Sequence, residues 1–94
     1  MTIINIDCED INKIFKVNIN KIKFTGCSLD SKTIKKGNIF FAFKGKKNDG
    51  NQYIAEAKKN GAVLAIVERK NLKIKVPQIK VKNAHRALIK LANY

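Results

Sequence analysis

Two stretches of the chain are apolar without a break, and the segments around them alternate or repeat. NIFFAF (residues 38–43) is bounded by Gly37 and Gly45, and AVLAIV (residues 62–67) follows Asn60-Gly61. Apolar runs of this length between turn residues suit strands buried on both faces. Elsewhere the pattern has period two. Ile22 and Phe24 alternate with Lys21 and Lys23, so residues 21–25 read as a short half-exposed strand. Gly26 interrupts it, and residues 27–31 form a polar elbow. VPQIKV (residues 76–81) alternates as well, with its proline at the beginning, where a strand tolerates a missing N–H.

Three segments carry helical spacing. In the first, Asp7 or Asp10 caps a helix to about Lys16, with Ile11, Ile14 and Phe15 as its apolar stripe. Acidic residues stand at its start and Lys13 and Lys16 near its end, as the helix dipole favours. Asn51 is the expected N-cap of the second, QYIAEAKKN, which Asn60-Gly61 stops. Asn83 caps the third, whose Ala84, Ala87, Leu88, Leu91 and Ala92 fall on one face. Between elbow and first buried strand, TIKKGN reads as a turn with Gly37 free to take a positive φ.

The order is α, short β, buried β, α, buried β, β, α. Such alternation predicts an α/β fold: a small layered domain with a mostly buried mixed sheet flanked by helices. At 94 residues, the chain is expected to form one domain, 1–94. No apolar run approaches the roughly 20 residues that span a bilayer, and the acidic MTIINIDCED start is unlike a secretory signal. A cytoplasmic, membrane-free protein is the expectation.

A net charge of +13 raises nucleic-acid binding as a function class. Nearly all of the excess is lysine, spread over every segment, and Arg69 and Arg86 are the only arginines. Base readers and phosphate clamps rely on the bidentate fork of arginine. Abundant Lys, Asn and Ile is also what an AT-rich genome favours at tolerant surface positions. The charge therefore reads as a solvated surface, and a nucleic-acid module is the competing class.

Catalytic constellations are missing. His85, the one histidine, falls on the polar side of the last helix with nothing nearby to complete a triad. Cys8 and Cys27 lack CxxC spacing and read as reduced thiols, so no metal site is expected. Asp30 and Asp49 form either a carboxylate pair or, as is commoner in SLDS and NDG contexts, two turn residues. The loop GKKNDGN lacks the GxxxxGK[ST] spacing of a phosphate-wrapping loop. What remains is an elbow with hydroxyls (Ser28, Ser31) beside a loop with ammonium and amide donors (Lys46, Lys47, Asn48). Such groups suit a neutral polar base and a diphosphate, or else are plain surface loops.

In order, LDSK-x4-GNIFFAFKG-x3-DGNQYIAEAKKNGAVLAIVE, VPQIKV and a helix opening NAHRAL resemble the N-terminal domain of Mur ligases. The family pattern is roughly [TL]-D-[ST]-R, G-D-x-F-x-A-x-K-G, D-G-H-x-[FY]-I, G-A-x-x-x-[IV]-x-E and D-T-R-x-A-L. The likeness runs from about Phe24 to the end. Lys32 replaces the usual Arg, Asn38 the usual Asp, Asn51-Gln52 the usual His-Asp, and Asn83-Ala84-His85 the usual Asp-Thr.

The resemblance implies a parent enzyme of cytoplasmic peptidoglycan precursor synthesis. It would use ATP and magnesium to activate a peptide carboxylate as an acyl phosphate, which an amino group attacks. This domain would hold the UDP end of a UDP-N-acetylmuramoyl peptide through Leu29, Ser31, Lys46, Lys47 and Asn48, with no catalytic residue of its own. The ATP-binding central domain and the C-terminal domain lie outside the match. FAFKGKKNDG and VPQIKVKN look more like the D-alanyl-D-alanine-adding enzyme, whereas LDS and DGNQYI fit its diaminopimelate- or lysine-adding relative. A monomer is the expectation, and a stand-alone α/β interaction domain is a third reading.

Overall fold

Four strands lie side by side in chain order: β1 (Gly26–Ser28), β2 (Asn38–Phe41), β3 (Leu64–Val67) and β4 (Gln78–Lys80). The computed structural model describes residues 7–19, 22–43 and 50–93. All three strand pairings are parallel, with Cys27 opposite Ile39, Phe40 opposite Ala65 and Ile66 opposite Ile79. The α/β class is as expected, but the mixed sheet is corrected to a parallel one. Each connection, including the helix-free ones at 29–37 and 68–77, brings the chain back to the same end of the sheet before the next strand begins.

The unbroken apolar runs have a direct explanation. Ile39 and Phe41 of β2, with Leu64 and Ile66 of β3, enter one core beside Ile11 and Ile14 of α1 (Cys8–Phe15) and Ala87 and Leu91 of α3 (Ala84–Ala92). Phe40, Ala65 and Val67 alternate into a second core with Ile54 and Ala57 of α2 (Ile54–Lys59). Two covered faces leave no position along β2 or β3 for a polar side chain except Asn38 at its start. Burying each large side chain contributes about 1.5–3 kcal/mol, so these two strands hold the three layers together.

The helix ends follow local chemistry. Asp7 caps α1 in a reciprocal box: its carboxylate accepts the Asp10 amide at 3.0 Å, and its own amide donates to the Asp10 carboxylate at 3.2 Å. Lys16 closes α1 in the left-handed region at φ 55°. The Asn12 side chain then grips Ile19, accepting its amide at 2.8 Å and donating to its carbonyl at 2.7 Å. Asn83 caps α3 by accepting the Arg86 amide at 3.0 Å. Of the expected α3 stripe, Ala84, Ala87 and Leu91 are buried, Leu88 is partly covered and Ala92 is exposed.

Two expected boundaries shift. Of the strand placed at residues 21–25, the described residues 22–25 form only an isolated antiparallel bridge between Lys23 and Asp7, and Gly26 opens β1 instead of interrupting a strand. The reason is that Cys27, not Ile22, carries the core-facing position that pairs with β2. The second helix is entered through a 3₁₀ turn at Gly50–Tyr53, and its N-cap is Tyr53, which makes no side-chain capping bond. Asn51 is therefore not the cap. Gly37 and Gly61 take φ of +91° and +118°, as the two turns require.

Candidate substrate-binding site

Parallel strands deliver their C-terminal ends to one edge, and the loops leaving that edge are where open α/β sheets hold ligands. The elbow after β1 is such a loop. Its shape comes from Asp30, flanked by two hydroxyls. The Asp30 amide donates to Ser28 Oγ at 3.1 Å, and Ser28 Oγ donates to the Asp30 carbonyl at 3.1 Å. The Asp30 carboxylate accepts the Lys32 amide at 2.9 Å, and its carbonyl accepts the Thr33 amide at 3.1 Å. Asp30 thus serves as a turn residue. Asp49, its suggested carboxylate partner, lies outside the described residues.

The elbow is fastened to α2. Ser31, only 5% exposed, donates its hydroxyl proton to Glu56 Oε1 at 2.6 Å. From the next turn, the Asn60 side-chain amide donates to the Ser31 carbonyl at 2.8 Å. A third tie joins the following turn to the end of the helix, where the Gly37 amide donates to the Gly61 carbonyl at 2.9 Å. Buried polar groups cost free energy unless paired, and here both polar atoms of Ser31 that reach α2 are satisfied.

Among the residues expected to bind substrate, Leu29 is 46% exposed at the tip of the elbow, an unusual place for a large apolar side chain. Ser31 sits two residues on, turned towards α2. Lys46, Lys47 and Asn48 lie outside the described residues. Beside the elbow, a polar cavity of about 450 Å³ is lined by Thr25, Ser28, Thr33, Lys35, Lys36 and Asn38, together with Gly26 and Cys27. Leu29 and Ser31 do not line it. Ser28 and Thr33 bring their hydroxyls to 3.3 Å of each other at its wall.

Glu56 was not singled out by pattern, and Asn60 was read only as a helix stop. Glu56 lies on α2 and Asn60 caps its C-terminal end, 25 and 29 positions from Ser31, and no short motif links either to the elbow. Their one signal is position: on a helix beginning near Ile54, residues 56 and 60 share a face by i, i+4 spacing. His85 is exposed, as expected, but it is not isolated. Its ring stacks on Phe43 with centroids 3.8 Å apart and planes 27° from parallel, linking α3 to the segment that leaves β2.

Burial pushes the Cys27 thiol up from its ordinary pKa, keeping it neutral and poorly reactive. Among the described residues, no three His, Cys, Asp or Glu side chains converge as metal ligands, and no helix is long and apolar enough to cross a membrane. The described residues offer hydroxyl, amide and ammonium groups on a rigid elbow, which can hold a polar ligand.

Comparison with known proteins agrees with the motifs. Residues 23–94 match the model of the Mur ligase family, catalytic domain. The UDP-N-acetylmuramoyl-L-alanyl-D-glutamate--2,6-diaminopimelate ligase of Rickettsia prowazekii is 44% identical over 84% of this chain and 16% of its own length. The UDP-N-acetylmuramoyl-tripeptide--D-alanyl-D-alanine ligase of Haemophilus influenzae is 38% identical over 69% of this chain and 14% of its own length. Among solved structures, MurF from Acinetobacter baumannii superposes with a TM-score of 0.77 at 26% identity, covering 88% of this chain and 19% of that one. The MurF ligase of Thermotoga maritima, solved in complex with ADP, gives 0.64 at 39% identity, covering 70% and 15%. The chain thus spans about one sixth of the length of the curated relatives it matches. With the motifs, the fold and the matched residues in agreement, this chain belongs to the Mur ligase family.

Proposed function

We propose that residues 1–94 are the N-terminal, UDP-holding domain of a ligase that extends the peptide of a UDP-N-acetylmuramoyl precursor of peptidoglycan. The observation that carries this reading is the elbow: the LDS motif is placed at the C-terminal edge of a parallel sheet and tied to α2 by Ser31. Leu29 and Ser31 hold the nucleotide end from one side, and Lys46, Lys47 and Asn48 hold it from the next loop. We place the protein in the cytoplasm, acting as a monomer.

The chain's own residues do not fit ATP or magnesium. The loop at residues 44–50 lacks phosphate-wrapping spacing, and the described residues bring no ligand set together. Activation of the peptide carboxylate therefore belongs to the rest of the parent enzyme, and this chain alone is expected to hydrolyse no ATP. Its part is to bind and orient.

Two amino components remain in play. FAFKGKKNDG and VPQIKVKN support addition of D-alanyl-D-alanine. The second reading, addition of diaminopimelate, is supported by the identity of 44% to the Rickettsia prowazekii ligase against 38% to the Haemophilus influenzae one. Assaying the full-length parent with each amino component decides between them.

The uridine-holding role is tested by calorimetric titration with a UDP-N-acetylmuramoyl peptide, and separately with a random-sequence oligonucleotide at several salt concentrations. The reading expects saturable one-site binding of the first. Tight oligonucleotide binding with a steep salt slope, and none of the UDP ligand, would transfer the chain to the nucleic-acid class.

A further inference from the structure

Ser31 has one hydroxyl proton, and the structure shows where it goes. A serine hydroxyl carries a single donor and two acceptor lone pairs. At 2.6 Å from Glu56 Oε1 the donor is spent on a carboxylate, the stronger kind of acceptor. Any second group reaching this oxygen therefore meets an acceptor. Ser31 cannot rotate to offer its proton elsewhere without leaving the Glu56 carboxylate unpaired in a part-buried setting. Its carbonyl is held as firmly, by the Asn60 side chain at 2.8 Å.

We propose that Glu56 and Asn60 are positioning residues, and that Glu56 also sets specificity by fixing the polarity of Ser31. Building on the uridine-holding reading, the elbow then favours a base that presents an N–H donor to Ser31, as uracil does at its ring imide. It disfavours cytosine, whose corresponding ring nitrogen is an acceptor and would face a second acceptor across the contact. Glu56 touches no ligand in this scheme. It acts 25 residues away in sequence, through one hydrogen bond.

The probes are UDP and CDP, titrated into the ¹⁵N-labelled 94-residue chain and its Glu56→Ala and Asn60→Ala variants. Amide hydrogen exchange of the free chains is followed in parallel. In the native chain UDP is expected to bind about tenfold tighter than CDP, the usual scale for one mismatched buried hydrogen bond. Glu56→Ala is expected to weaken UDP several-fold and shrink the UDP/CDP ratio to about twofold, since the freed hydroxyl can then donate. Asn60→Ala should weaken both nucleotides alike, leaving the ratio unchanged. In both variants exchange should quicken at Thr33 and Gly37 while α1 and α3 keep their protection. A UDP/CDP ratio unchanged by Glu56→Ala overturns the polarity role, as does equal binding of the two nucleotides by the native chain. Unchanged exchange at the elbow in both variants overturns the positioning role. If the native chain binds neither nucleotide, it is the uridine-holding reading that fails, and the polarity role with it; the exchange data still decide the positioning role.

Discussion

The Glu68 carboxylate, where the chain leaves β3, accepts the Ala84 amide at the start of α3 at 2.9 Å. One side chain thus joins the end of a central strand to the first turn of a helix sixteen residues later, and it supplements the Asn83 cap, which serves only the Arg86 amide. A carboxylate at a helix N-terminus gains from both the unpaired amide and the dipole. Glu68→Ala is expected to lower stability by about 1 kcal/mol, and Glu68→Gln by less. Urea denaturation of the two variants checks this ordering.

Gly61 is the tightest point between α2 and the turn before β2. A Cβ there would stand 2.6 Å from Lys36 Cα, backbone that cannot yield cheaply, and φ is +118°. Gly61→Ala is expected to cost about 2–3 kcal/mol through strain and clash together. Equilibrium unfolding would show it as a fall in midpoint; a variant as stable as the native chain would mean that this turn is not held as described.

Phe41 is fully buried in the core shared by α1, α3 and the sheet. Phe41→Ala is expected to cost about 3–5 kcal/mol. Small domains have total stabilities of about 5–15 kcal/mol, so thermal unfolding should move down by many degrees. Ile89→Ala, at a position of α3 that is 58% exposed, is the control and should change little.

The two thiols should behave differently. Cys27 is 2% exposed, and burial raises its pKa. It should react with a thiol reagent only as fast as the chain opens, whereas Cys8 is half-buried at the surface, its sulfur bonded to Ile22. For an acid whose folded pKa is raised, the unfolded form loses its proton first. The Cys27 contribution is therefore neutral below the unfolded thiol range of about pH 8.5. Above it, stability falls until pH passes the raised folded value. Cys27→Ala should remove that alkaline decline, as read from unfolding midpoints against pH.

How far the fold was legible depended on where the information sits. NIFFAF and AVLAIV announced strands covered on both faces because Phe40 and Phe41, or Ala65 and Ile66, each need an apolar layer on their own side. The α1 and α3 caps were legible because capping is local chemistry within four residues. The parallel pairing was only half legible: unbroken apolar runs suit parallel strands, but the β1–β2 and β3–β4 connections carry no helix to mark a crossover. The start of β1 was not legible: Ile22 and Phe24 alternate convincingly, yet register with β2 is decided by Cys27 and Ile39 packing together. At the site, the Asp30 turn followed from SLDS, while the Glu56–Ser31 bond joins segments that only the folded chain brings together.

The central claim is that this elbow, with the loop after β2, grips the nucleotide end of a muramoyl precursor. Mapping a bound UDP-N-acetylmuramoyl peptide onto the ¹⁵N-labelled chain by chemical-shift changes tests it most directly. The account predicts saturable shifts concentrated at Leu29, Ser31 and residues 46–48, with α1 silent. Saturable shifts elsewhere, with the elbow undisturbed, would contradict it.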